Sequence, residues 1–345
     1  MTSTLAEDAT YILPIKATRP AIAPDFSAYL LWLASTVREV IVVDDSPESV
    51  FTTHAAAWGS LVRHVSPDPH LTTPMGKVGS VLTGVGLASC ERIIIADDDV
   101  RFDRVSLARL ISQLDGVDVA RPQNYFDPLT WHARWDTGRM ILNRVTGGDW
   151  PGTLAVRRAV LRATGGYDGN AMFENLELVR TVVAAGGREA SCLDIYVARR
   201  PSTTRHFWSQ RIRQAYDEIA RPQRLLIQLA ILPITILLAV AGQLLLLAWI
   251  ALAVVALAEI GRRRAGGTRV FPPSASLFAP LWLAERAICS WLALLSRVLL
   301  GGIRYRGMVL KLAANPLRVL RARHLHARET EIGALNDRTP RYRSA

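Results

Sequence analysis

Apolar residues fall in short blocks over the first two-thirds of the chain and in long blocks after that. The short blocks predict a regular alternation. Residues 11–16 (YILPIK), 39–44 (EVIVVD), 61–65 and Arg92–Ala96 (RIIIA) are apolar and rich in Ile and Val without helical spacing, and read as buried strands, the first broken at Pro14. Residues 117–120 and 152–156 are two further candidate strands. Between them, 28–35 is apolar on one side, and 76–89 (GKVGSVLTGVGLAS) is a small-residue helix. Residues 158–164 and 175–185 read as helices stopped by Gly165-Gly166 and Gly186-Gly187. Strands alternating with helices imply an α/β domain with a mostly parallel sheet, whose ligands bind at the carboxyl ends of strands. Residues 121–150 show no period and read as an irregular aromatic stretch with Tyr125, Phe126, Trp131, Trp135 and Trp150. Residues 206–222 read as one amphipathic helix that closes a first domain, 1–222.

The long blocks change the picture. No charged residue occurs from 225 to 258. As one helix that run would be about 51 Å long, against a hydrocarbon core of roughly 30 Å. Two spans turning near Gly242-Gln243 fit better, which makes 223–261 a transmembrane hairpin. Arg221 and Arg224 before it, and Arg262, Arg263 and Arg264 after it, place both ends on the cytoplasmic side. Residues 277–300 are apolar but carry Arg286, Ser290, Ala293 and Arg297 as one narrow polar stripe, which suggests a helix lying in the membrane interface. That helix sits in a basic segment, 262–325, and 326–345 reads as a disordered tail.

Charge sharpens the division. Residues 1–220 hold 23 Lys and Arg against 25 Asp and Glu, and residues 221–345 hold 18 against 5. The basic excess therefore lies beside the apolar runs. It points to an anionic membrane surface, and no nucleic-acid partner is expected for a near-neutral first domain. The opening MTSTLAEDAT has neither a basic nor an apolar region of a signal peptide, so the first domain is expected in the cytoplasm of a multi-pass cell-membrane protein. Three scattered cysteines fit a reducing compartment.

The candidate chemistry starts where the Arg92–Ala96 strand ends, in Asp97, Asp98 and Asp99. Three carboxylates so close repel one another. They suit a hard divalent cation such as Mg2+ or Mn2+, which takes oxygen ligands and commonly shares them with phosphates. A solvated acidic turn is the plain alternative. Asp44 and Asp45 also sit at a predicted strand end.

The order of these pieces resembles family 2 glycosyltransferases of the GT-A fold. They run strand–Asp44-Asp45, the Lys77 helix, the Asp triplet, Gly165-Gly166-Tyr167-Asp168, Glu174-Asn175-Leu176-Glu177, Gln210-x-x-Arg213, then membrane helices. The resemblance covers 11–222. It implies a nucleoside-diphosphate-sugar donor bound by Pro14, Asp44, Asp45, Lys77, Asp97 and Asp98. Asp97 and Asp99 would bind the metal, with His206 as a further ligand. Lys77 is one of only three lysines against 38 arginines, which fits a place where a slim ammonium is needed. Glu174 would be the catalytic base, with Glu177 in reserve. Trp150, Gly166, Gln210 and Arg213 would meet a lipid or lipid-linked acceptor. Two departures stand out. Asn175 occupies the place where the family has its basic Asp, so either Glu174 acts or the acceptor is an already ionised phosphate. The family's Trp after the Gln-x-x-Arg motif is Gln214 here, which argues against a processive synthase. Two rivals remain at this stage, a sugar nucleotidyltransferase and a membrane scaffold with a vestigial sugar-nucleotide domain.

Overall fold

The computed structural model describes residues 7–326. The expected disordered tail, apart from its first residue, lies outside the described residues.

Along the chain the elements are β1 (Glu7–Ile15), α1 (Pro24–Thr36), β2 (Val37–Asp44), α2 (Glu48–Trp58), β3 (Arg63–Val65), α3 (Gly76–Leu87), β4 (Arg92–Ala96), β5 (Val100–Arg101) and α4 (Arg104–Gln113). There follow β6 (Val119–Phe126), α5 (Trp131–Arg144), β7 (Thr153–Arg157), α6 (Arg158–Ala163), α7 (Glu174–Ala184) and β8 (Glu189–Arg199). The last part holds α8 (Thr204–Ser209), α9 (Arg211–Tyr216), α10 (Pro222–Val240), α11 (Leu244–Arg263), α12 (Ser274–Leu277), α13 (Ala279–Leu300) and the hairpin β9 (Ile303–Tyr305) and β10 (Met308–Leu310).

Eight strands form one sheet in the order β3-β2-β1-β4-β7-β6-β8-β5. The half built on β1 to β4 is parallel, as the alternation predicts. The other half is mixed: β7 runs antiparallel to β4 and β6, while β6 and β8 are parallel. Six of the eight strands thus run the same way and only β7 and β5 are reversed, so the sheet is mostly parallel with a mixed half. The first strand also runs through Pro14 to Ile15 without a break. Helices cover both faces. Leu30, Leu33, Trp58, Leu107 and Leu110 pack one side, and Val78, Val81, Leu161, Leu178 and Val182 pack the other.

Residues 121–150 are not irregular. The sixth strand extends to Phe126, and α5 occupies 131–144. Its inward face mixes Asp136, Asn143 and Arg144 with Ala133, Met140 and Ile141, so it lacks the clean apolar stripe that marks a helix. It is the seat for the later helices. An added Cβ at Gly138 would come within 3.1 Å of Ala279, and one at Gly261 within 1.9 Å of the Ile141 carbonyl. The expected single helix at 206–222 is broken into α8, α9 and a 3-10 turn over Asp217–Ala220.

Two helices, beginning at Pro222 and Leu244, are long and apolar enough to cross a membrane, and they turn at Ala241-Gly242-Gln243. Their apolar residues are largely exposed. In α13 three of the four residues read as the wet side of an interfacial helix, Arg286, Ser290 and Ala293, are buried, while Arg297 is exposed. Ser290 donates to Gln228, and Arg297 donates to the Tyr216 hydroxyl. Its other exposed residues include Ile288, Leu295 and Val298. The chain then returns to the α/β domain. Met172 and Phe173 donate backbone bonds to Leu312 and Ala313, and Glu177 accepts two bonds from Asn315 at 2.7 and 2.8 Å.

Candidate active site

Strands β1 and β4 lie side by side and end together, which brings their carboxyl ends to one edge of the sheet. There they open into a cleft of about 360 Å³. Its walls come from Pro14 to Lys16 and Asp45, the first turn of α3, Asp97 and Asp98, residues 150–152, the start of α7, and Arg199. Gln210, Arg213, Gln214 and Asp217 form one end, and Tyr305 with Arg306 of the C-terminal hairpin cover another.

A chain of ion pairs crosses the floor. The Lys77 ammonium lies 2.5 Å from Asp97 and 2.8 Å from Glu174. Arg199, at the end of β8, donates from Nε to Asp99 at 2.7 Å and sits 3.5 Å from Asp97. Lys77 gains from both carboxylates more than burial takes away, so its pKa is held well above the usual lysine value. Burial works against ionised Asp97, yet Lys77 and Arg199 keep its pKa low. Gly152 is needed here: a Cβ would come 2.1 Å from Asp97 Oδ2.

Four carboxylates (Asp97, Asp98, Asp99 and Glu174) face two cations (Lys77 and Arg199) in this cluster. The same cleft also holds Lys16 with Asp45, Arg213, Arg306 and Asp217. Two observations single out the triplet. Asp99 Oδ1 is buried without a hydrogen-bond partner. Asp98 has its pKa pushed up to about 6 by burial and then by the charges of Asp99 and Asp97. A cation beside the triplet would relieve this crowding, and among the described residues the three carboxylates do not already converge as a ligand group.

The other expected site residues divide. Pro14, Asp45, Trp150, Gln210 and Arg213 do line the cleft. Asp45 is paired with Lys16 at 2.5 Å, and the Trp150 ring carries Arg121 on its face at 4.4 Å. Asp44 does not line it. Its carboxylate is buried under His54 (2.7 Å) and His64 (3.0 Å). Burial opposes its charge, but bonds from His64, Ser46 and His54 hold its pKa well below the carboxylate range. These three side chains also form the group whose ligand atoms converge within 4.8 Å among the described residues. The short His–Asp contacts account for them as a hydrogen-bonded triad. The sequence reading of Asp44 as a ligand-binding residue is therefore corrected to a structural tie.

Glu177 is likewise fully buried and spent on Asn315, so it is an anchor for the returning chain and not a reserve base. Gly166 lies away from the cleft, in a groove with Asp168 and Arg323, at φ +94°. His206 touches Gln210 but does not line the cleft, and burial, then Arg213 and Arg199, lower its pKa. It does not converge with Asp97 and Asp99. Asn175 donates to the Pro151 carbonyl at 2.9 Å, which fixes the loop carrying Trp150.

Sequence reasoning missed Arg199, Asp217, Tyr305 and Arg306. The signal for the last two was available. Arg306-Gly307 is a two-residue turn with φ of +46° and +84°, the geometry that suits a tight hairpin. Asp217 carries a carboxyl pushed up to about 8, first by burial and then by Glu174. A group whose folded pKa is raised contributes stability that is lost as pH climbs through the folded value. Stability of the unaltered protein should thus fall between about pH 4 and pH 8 from this group alone. An Asp217→Asn protein should melt at a higher temperature than the unaltered one at pH 8.5 and at nearly the same temperature at pH 4. Parallel melting curves across that range would rule out the raised carboxyl.

No family model matches the chain, and no curated protein matches it. Similar solved structures exist. A mannosyltransferase from Pyrobaculum calidifontis, in complex with GDP-Man and Mn2+, is 19% identical at a TM-score of 0.48, covering 84% of this chain and 88% of that one. Glucosyl-3-phosphoglycerate synthase from Mycobacterium tuberculosis is 15% identical at 0.40, covering 58% and 74%. Mannosyl-3-phosphoglycerate synthase from Rubrobacter xylanophilus is 12% identical at 0.41, covering 60% and 71%. All three TM-scores are below 0.5, and the functional reading rests on the side chains described above.

Proposed function

We propose that this chain is a GT-A glycosyltransferase of the family 2 type, anchored in the cell membrane with its α/β domain in the cytoplasm. It moves a hexosyl group, with inversion, from a nucleoside-diphosphate sugar to a lipid or lipid-linked acceptor. One observation carries the reading: the cleft at the ends of β1 and β4 joins Lys77, Asp97, Glu174 and Arg199 in one chain of ion pairs that reaches Asp99.

Each group has a task that follows from its surroundings. Asp97 and Asp99, with Asp98 beside them, would hold Mg2+ or Mn2+. A cation there neutralises charge that develops on the departing nucleoside diphosphate. Lys77 fixes Asp97 and Glu174, keeping the floor of the cleft rigid before the donor arrives. Arg199 does the same for Asp99. Trp150 offers a face at the cleft wall for a sugar or base. The two exposed apolar helices with arginines at both ends support membrane attachment on one side.

Incubating the purified chain with a panel of nucleotide sugars and Mn2+ tests the reading. Slow hydrolysis of one donor is expected, and an excess of EDTA should abolish it. If no nucleotide sugar is hydrolysed or bound with metal present, the transferase reading fails and a non-catalytic scaffold is left.

A further inference from the structure

Asp217 stands at one end of the cleft, on the 3-10 turn that follows α9, and also faces a smaller chamber of about 130 Å³ behind it. Its surroundings set it apart. In the cleft Asp97 and Glu174 are paired with Lys77, Asp45 with Lys16, and Asp99 with Arg199. Asp217 has no such partner among the described residues, and its Oδ1 is buried without a hydrogen bond. The cations around it are engaged elsewhere. Arg139 donates to Asp149, Arg221 to Glu218 and Arg199 to Asp99. Arg286 reaches the Gln214 side chain at 3.5 Å, and Arg213 lies over the Tyr305 ring.

Charge therefore does not hold Asp217 ionised. Burial raises its pKa most and the Glu174 charge next. Arg221 and Arg286 pull it down, Glu218 pushes it up, and the carboxyl stands at about 8. Such a carboxylate takes up a proton far more readily than one in the ordinary range, and a base whose pKa lies near the working pH removes protons best. The other candidates at this site are spent. Asn175 cannot accept a proton, and its amide donates to the Pro151 carbonyl. Glu174 has one oxygen taken up by Lys77 at 2.8 Å.

Resting on the glycosyltransferase reading, we propose that Asp217 takes the proton of the attacking hydroxyl in the transfer step. The hydroxyl oxygen attacks the anomeric carbon and forms the new C–O bond, and its proton passes to the Asp217 carboxylate. The bond from that carbon to the nucleoside diphosphate breaks, and the diphosphate leaves with the electron pair. The position suits the task. Trp150, Gln210 and Arg213, expected to meet the acceptor, line the same cleft. The turn that carries Asp217 leads directly into α10, so an acceptor borne on a lipid would enter from this side. Glu174 then has a positioning part: held by Lys77, it supplies the negative charge that keeps Asp217 strongly basic.

The test uses the full chain in detergent with Mn2+ and the nucleotide sugar that it cleaves, water serving as the attacking hydroxyl. For the unaltered protein kcat/KM should rise with pH and level off above about 8. In Asp217→Asn the rise should vanish, and kcat at high pH should fall by about 100-fold or more while KM for the donor stays within roughly threefold. In Glu174→Gln the rise should remain but move to lower pH, because a charge that raises the Asp217 pKa is gone. A rise that persists unmoved in Asp217→Asn overturns the inference, as does one lost only in Glu174→Gln. So does an Asp217→Asn protein that melts clearly below the unaltered one at high pH, since its loss of activity would then be loss of fold. An unaltered chain that cleaves no nucleotide sugar overturns the donor reading and this inference with it. An active unaltered chain with an equally active Asp217→Asn overturns this inference alone.

Discussion

An Asp99→Asn protein should hydrolyse a nucleoside-diphosphate sugar roughly 100-fold or more slowly than the unaltered chain, and without loss of folding stability. Burial pushes the Asp99 carboxyl up, and Arg199 offsets only part of that effect. One oxygen accepts from Arg199, and the other is buried and unpaired. Asparagine keeps the shape and the acceptor for Arg199 but removes the charge that a divalent cation would meet. Fewer like charges then crowd the end of β4, so the melting temperature should stay level or rise. Calorimetric titration with Mn2+ and donor should show the loss directly. If activity survives, or if the variant melts more than about 5 °C lower, Asp99 serves the fold and not the reaction.

Replacing Arg144 with methionine should have the largest effect on stability. Arg144 is fully buried between the α/β domain and the end of α11. It donates to the carbonyls of Gly261 (3.1 Å), Leu193 (2.9 Å) and Arg264, and to the Tyr196 hydroxyl (2.8 Å). Two of those carbonyls lie at or just past the end of α11, where the backbone lacks partners of its own. Methionine fills much of the volume but strands all four acceptors, at a cost of roughly 3–5 kcal/mol. For a chain this size the melting temperature should drop by roughly 4–7 °C. Lysine should not restore it, since one ammonium cannot span the same fork of acceptors. A methionine variant as stable as the unaltered protein would show that α11 is held by its apolar contacts alone.

How far the sequence was readable follows from where polar groups are buried. The Ile- and Val-rich strands β2 and β4 stand out because both of their faces meet helices and need apolar side chains. The carboxylates at their ends could be picked out for the same reason, being polar residues where an apolar run stops. The eighth strand, EASCLDIYVAR, mixes buried and half-buried positions and gives no clean period, so Arg199 at its end was missed. Helix α5 was missed because Asp136, Asn143 and Arg144 face inward and break up the usual pattern. Asp44 looked like a ligand site because its position says nothing about His54 and His64, which reach it from 10 and 20 residues away. Glu177 misled in the same way, since its partner Asn315 lies 138 residues on.

That last distance has a bearing on how the molecule is made. The first turn of α3, which carries Lys77, and the acidic triplet at the end of β4 are synthesised early. Tyr305 and Arg306, which roof the same cleft, leave the ribosome only after both apolar helices have been made. A newborn chain therefore carries this cleft without two of its walls until both apolar helices have been made.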